Sequence, residues 1–107
     1  MQTDPDILFR TLADPTRRAI FERLCRSGGQ TVAALTAEAG VSQPAVSKHL
    51  AVLKRAGLVR DRPEGRQTRY TAELAALAPL VGWTREMAGF WQGRFDNLGD
   101  LLDRMDQ

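Results

Sequence analysis

Apolar residues recur at three- and four-residue steps along most of this chain, and that period predicts a mainly helical fold. Pro5 to Leu12 makes a short helix with Ile7, Leu8 and Leu12 on its apolar side. Asp14-Pro15 reads as a cap and a first-turn proline, opening a second helix through about Arg26 with Ile20, Phe21 and Leu24 inward. Gly28-Gly29 closes it. Val32, Leu35 and Ala39 share one face of a third helix, and Gly40 supplies the permissive backbone at which it stops and reverses. Ser42 is placed to cap a fourth helix, where Pro44 is harmless because first-turn N–H groups have no partner within the helix. At about 100° per residue, Val46, Leu50 and Leu53 form one stripe of that helix, while Pro44, Ser47, Lys48, Ala51 and Arg55 lie opposite, flanked by Gln43 and Lys54.

Two short helices joined by a tight turn, over residues 31–56, predict a helix-turn-helix. The outward side of its second helix carries small, hydrogen-bonding and cationic groups, which suits entry into a major groove about 12 Å wide. An ordinary amphipathic surface helix has the same stripe, so the flanking sequence matters. After Gly57, residues 58–72 form two extended runs around Pro63-Glu64-Gly65, in which Val59, Tyr70 and the threonines suit strands and the Pro and Gly suit a hairpin turn. This pattern predicts a wing. From Lys54 to Arg69 there are six basic residues against two acidic ones, although the whole chain carries a net charge of only +2. Such arginines can serve as a solvated hairpin edge that discourages strand addition. Directly after a helix-turn-helix they favour contact with phosphates or the minor groove. Gln43, Ser47 and Lys48 are the expected base readers, and Arg60, Arg62, Arg66 and Arg69 the expected backbone clamps.

Leu80, Trp83, Met87, Phe90, Trp91, Phe95, Leu98, Leu101, Leu102 and Met105 continue the helical period over residues 80–105, with Pro79 near its start. So wide and aromatic a stripe requires a partner. An intramolecular lid and an apolar ligand pocket are alternatives to symmetric pairing of two subunits, which the aromatic anchors favour. The expected dimer interface comprises Leu8, Trp83, Met87, Phe90, Trp91, Phe95, Leu98 and Leu102. From Arg94 onward, two basic residues stand against four acidic ones, so this end is expected to point away from DNA.

LADPTRRAIFERLCRSGG, GVSQPAVSKHLAVLKRAGLV and EGRQTRYT, followed by a long C-terminal helix, together resemble winged-helix repressors of the ArsR/SmtB type over nearly the whole chain. The resemblance implies a winged helix-turn-helix, mainly α with a small β-hairpin, dimerising through terminal helices. It also implies a bacterial transcription factor, usually a repressor, that binds an inverted-repeat operator and is released by a small signal. In metal-sensing branches, paired cysteines occupy positions matching Thr31 and Ala33 here, and a second site uses His and carboxylates on the C-terminal helix, which has no His in this chain. A metal-dependent signal is therefore not expected, and the inducer is left open.

The remaining chemistry is sparse. One hundred and seven residues accommodate one domain, and no apolar run is long enough to span a membrane. Asp4, Pro5 and Asp6 stand where an export signal needs basic and then apolar residues, so the expected location is the cytoplasm. The single cysteine excludes an internal disulfide, and Cys25 is expected to be a small buried filler, with a reactive thiol as the alternative. His49 flanks the packed stripe of the fourth helix and suits a structural imidazole or a phosphate contact. No Ser, Cys or carboxylate set near it forms a nucleophile with a positioned base, so neither an enzyme nor a cofactor is expected. The expected partners are double-stranded DNA and a second copy of the chain, with a small-molecule effector of unknown identity left open. A protein-interaction dimer of antitoxin type and a non-specific DNA binder are the other functional readings.

Overall fold

The computed structural model describes residues 4–105 and, within them, the side chains of all but 91–98. Helix α1 (Pro5–Ala13) starts at Asp4, whose carboxylate accepts the Asp6 amide, and α2 (Pro15–Ser27) starts at Asp14, which accepts the Arg17 amide. A two-residue strand β1 (Gln30–Thr31) leads into α3 (Val32–Ala39), and the recognition-type helix α4 (Gln43–Arg55) follows after the left-handed Gly40. Ser42 caps α4 through the Ala45 amide, as the sequence predicts. The hairpin comprises β2 (Val59–Glu64) and β3 (Gln67–Ala72), and a 3₁₀ turn over Leu74–Leu77 delivers the chain to α5 (Ala78–Met105).

The core lies between the helices of the amino-terminal half and the base of the hairpin. Leu8, Ile20, Phe21, Leu24, Leu35, Val46, Leu50, Leu53, Leu58 and Val59 are buried together, so the stripes read from the sequence are the inner faces of α2 and α4, while in α1 Ile7, expected on the apolar side, is exposed. Leu8 has 0% exposure and corrects the expectation that it lies on a dimer surface. It points to the inside of its own subunit because α1 packs against α2, and its exposed neighbours Ile7 and Phe9 form the outer face instead.

The exit from α4 fixes the wing to the helix-turn-helix. The Leu58 amide donates to the Leu53 carbonyl and the Gly57 amide to the Lys54 carbonyl, both at 3.0 Å, with Gly57 at φ 79°. These two bonds form a Schellman closure, and burial of Leu53 with Leu58 seals it. The sheet is three-stranded and antiparallel in the order β1-β3-β2, one strand more than the predicted hairpin. The turn also differs from the expectation. Pro63 and Glu64 continue β2 to the pairing Glu64↔Gln67, leaving Gly65 and Arg66 as the two-residue loop. Gly65, at φ 63°, takes the positive angle that the first central position of a type II′ turn requires.

Helix α5 is 28 residues long, about 42 Å at 1.5 Å per residue. It gives the molecule a radius of gyration of 18.5 Å, against about 13 Å for a compact chain of this size. Among the described residues, no helix is long and apolar enough to cross a membrane.

Candidate nucleic-acid interface

Helix α4 divides as its sequence predicts. Val46, Leu50 and Leu53 are buried, whereas Gln43, Pro44, Ser47, Lys48, Ala51 and Arg55 are exposed. Among the described residues, Lys48 and Arg55 make no hydrogen bond or ion pair, so their charges are free for an external acceptor. The sequence placed Arg55 on the outer face without a role, and the structure leaves it exposed in the last turn of α4. His49 is half-buried, and its Nδ1 lies 3.5 Å from the donating Nε of Arg17. Arg17 also donates to the Thr11 carbonyl at 3.4 Å and faces the Asp14 carboxylate. His49 is thus the structural imidazole of the two expected roles, joining α4 to the α1–α2 corner.

The four wing arginines do not share one environment. Cross-strand register places Arg60 opposite Thr71 and Arg62 opposite Arg69, so Arg60, Arg62, Arg69 and Thr71 share one face of the hairpin, while Arg66 lies in the loop. Arg60 pairs with Glu73 at 2.7 Å, and Arg69 pairs with both oxygens of Glu64, at 2.6 and 3.3 Å. On the opposite face, Lys54 at the end of α4 pairs with Asp61 at 2.9 Å. The Glu64 carboxyl is held below its ordinary range by the hydrogen bond and charge of Arg69, while Asp61 raises the Lys54 ammonium. Arg62 and Arg66, like Lys48 and Arg55, form no hydrogen bond or ion pair among the described residues. Of the expected backbone clamps, Arg62 and Arg66 therefore keep their guanidinium free of hydrogen bonds and ion pairs among the described residues, although the charge of Arg62 also helps to lower the Glu64 carboxyl. The acidic partners lie within the basic segment and just after it, and only the pleat reveals which side each one takes.

A second surface carries large apolar side chains. On α1 and α5, Ile7, Phe9, Val81, Trp83, Phe90, Leu101, Leu102 and Met105 are exposed, and Met87 is half-buried. Trp91, Phe95 and Leu98 lie outside the described side chains. Cys25 corrects the expectation of a buried filler: it is exposed on α2. Partial desolvation and the Glu22 carboxylate push its thiol above the ordinary value despite Arg26, so the nearby arginines do not generate a thiolate. Thr31, at a position matching a metal-site cysteine in the metal-sensing branches, uses its hydroxyl to cap α3 through the Ala34 amide. Among the described residues, no three His, Cys, Asp or Glu side chains gather into a ligating group.

A helix-turn-helix whose second helix is followed at once by a basic hairpin defines a winged helix-turn-helix DNA-binding protein. A family profile described as a helix-turn-helix domain matches residues 12–62. The chain is 46% identical to the HTH-type transcriptional regulator Rv2034 of Mycobacterium tuberculosis, covering 90% of this chain and 92% of that protein. It is 40% identical to a probable mercury resistance operon repressor of Streptomyces lividans, covering 80% of this chain and 70% of that one. In three dimensions it is similar to the crystal structure of an ArsR family transcriptional regulator, with a TM-score of 0.72 at 33% identity, covering 86% of this chain and 97% of the other. A second ArsR-like regulator, from Rhodococcus sp. RHA1, gives 0.70 at 30% identity, covering 90% of both chains. The chain belongs to the ArsR family of winged helix-turn-helix transcriptional repressors. It is a DNA-binding regulator and not an enzyme.

Proposed function

We propose that this regulator acts in the cytoplasm as a homodimeric repressor of an inverted-repeat operator. Helix α4 enters the major groove with Gln43, Ser47 and Lys48 at base edges, and Arg62 and Arg66 of the wing hold the flanking backbone, with Arg60 able to join them by leaving Glu73. The observation that carries this reading is that Lys48 and Arg55 on α4 and Arg62 and Arg66 on the wing are exposed and make no hydrogen bond or ion pair among the described residues, while the other side of α4 is buried in the core. Two-fold pairing is supported by the exposed apolar row along α5, whose length leaves much of it beyond its own subunit. A symmetric dimer sets two recognition helices about 34–36 Å apart, which makes the operator a palindrome. Thr31 and Ala33 stand where the metal-sensing branches have cysteines, and the terminal helix carries no His, so the reading does not include release by a metal at either position, even though the Streptomyces relative is named for mercury resistance.

Fluorescence anisotropy tests the reading, using duplex DNA from upstream of the protein's own gene against a shuffled duplex, at low and near-physiological salt. Preference for the native duplex that survives the higher salt is expected. Equal binding that vanishes with salt means a non-specific basic binder, and no binding at either salt favours a protein-interaction dimer.

A further inference from the structure

The wing contains a like-charge conflict and a device that resolves it. Arg62 and Arg69 stand directly opposite each other on one face of the hairpin, an arrangement that repels across a strand pair. Arg69 is turned away from that encounter. Its Nε and Nη2 donate to the two oxygens of Glu64, and its Nη1 donates to the Gly29 carbonyl at 2.6 Å. All three guanidinium nitrogens are therefore used within the protein, and the two acceptors lie on different elements: Glu64 ends β2 beside the turn, and Gly29 precedes β1. The space at Gly29 is fitted to this bond. A Cβ built there would lie 3.1 Å from Thr71 Oγ1 and 3.2 and 3.3 Å from the Arg69 Cδ and Cγ.

We infer that Arg69 is a positioning residue of the wing and not a phosphate clamp. It ties β3 to the segment between α2 and α3 and to the turn-proximal end of β2, and so fixes the angle at which Arg62 and Arg66 are presented. This assignment rests on the DNA-binding reading above and replaces the role that the sequence suggested for Arg69. Each phosphate contact contributes about 0.9 to the slope of log affinity against log salt. A clamp and a strut therefore differ in kind: losing a clamp lowers the slope, whereas losing a strut lowers affinity and leaves it.

The test titrates the full-length protein with the upstream duplex over a range of salt. Arg62→Gln and Arg66→Gln are expected to lower the slope by about one each. Arg69→Gln is expected to weaken binding about tenfold at an unchanged slope, equivalent to about 1.4 kcal/mol. Arg69→Lys, which keeps the charge but cannot reach both acceptors, is expected not to restore it. Gly29→Ala leaves every charge in place but brings a methyl group within 3.1–3.3 Å of the Thr71 and Arg69 side chains, and any loss it causes is expected to leave the slope unchanged. A slope lowered by about one in Arg69→Gln with rescue by lysine overturns the assignment. NMR of the free protein supplies a readout independent of DNA, since the Nε–H of Arg69 is expected to exchange slowly with water and to lose that protection in Glu64→Gln. If the wild-type protein binds no duplex, the DNA-binding reading fails by itself, and an Arg69 Nε–H exchanging as fast as that of Arg62 overturns the strut.

Discussion

Phe9 of α1 and Trp83 of α5 meet edge to face, with ring centroids 5.1 Å apart and planes at 79°. Both rings remain more than two-fifths exposed, so the pair locks the amino-terminal helix to the carboxyl-terminal one and still leaves an aromatic surface outward. Phe90, about two turns further along α5, is 72% exposed. Phe90→Glu removes little from the subunit's own core, so it is expected to yield folded monomers that bind the operator poorly. Light scattering checks the mass, and persistence of the dimer in this variant shows that α5 serves another purpose.

Lys48 projects from the exposed side of α4 without an intramolecular partner. Lys48→Ala is expected to reduce the preference for operator over shuffled DNA by about 1–3 kcal/mol, the discrimination that one good base contact supplies. Competition anisotropy on the two duplexes measures it. An equal loss on both assigns Lys48 to the backbone.

Leu50 is fully buried beneath the recognition helix, in contact with the cluster that includes Leu24, Leu35 and Leu53. Leu50→Ala is expected to destabilise the protein by about 2–5 kcal/mol, in the range for a buried leucine that leaves a cavity. Urea unfolding checks this, and a cost below 1 kcal/mol would place α4 less firmly on the core than its burial indicates.

Asp14 caps α2, and the Arg17 amide holds its carboxyl below the ordinary value of 3.8. The charged form is the one favoured by folding, so its contribution is complete above the ordinary value and is lost as pH falls through the depressed folded one. Asp14→Asn retains a capping oxygen without a titrating group. Melting temperature measured from neutral to acid pH is expected to fall less steeply for this variant than for the wild type. Parallel curves would remove Asp14 from the acid response.

The sequence by itself determined the helices, their caps and their inner faces, because periodicity, Asp14, Ser42 and Gly40 act within a few residues of where they stand. It also determined that a basic hairpin follows the recognition helix and that the terminal helix is too apolar to stand alone. Strand β1 escaped it, since two residues have no period to read and Gln30–Thr31 becomes a strand only when β3 lies alongside. Which subunit's interior Leu8 fills and the outward placement of Cys25 were decided by how α1 and α2 pack, since periodicity gives a face but not what covers it. The candidate interface divides the same way. Composition counted six cations between Lys54 and Arg69, but charge along a chain has no direction. Only the register of the hairpin, which sets Glu64 beside Arg69 and Glu73 within reach of Arg60, decided which of those charges are already neutralised and which remain for DNA.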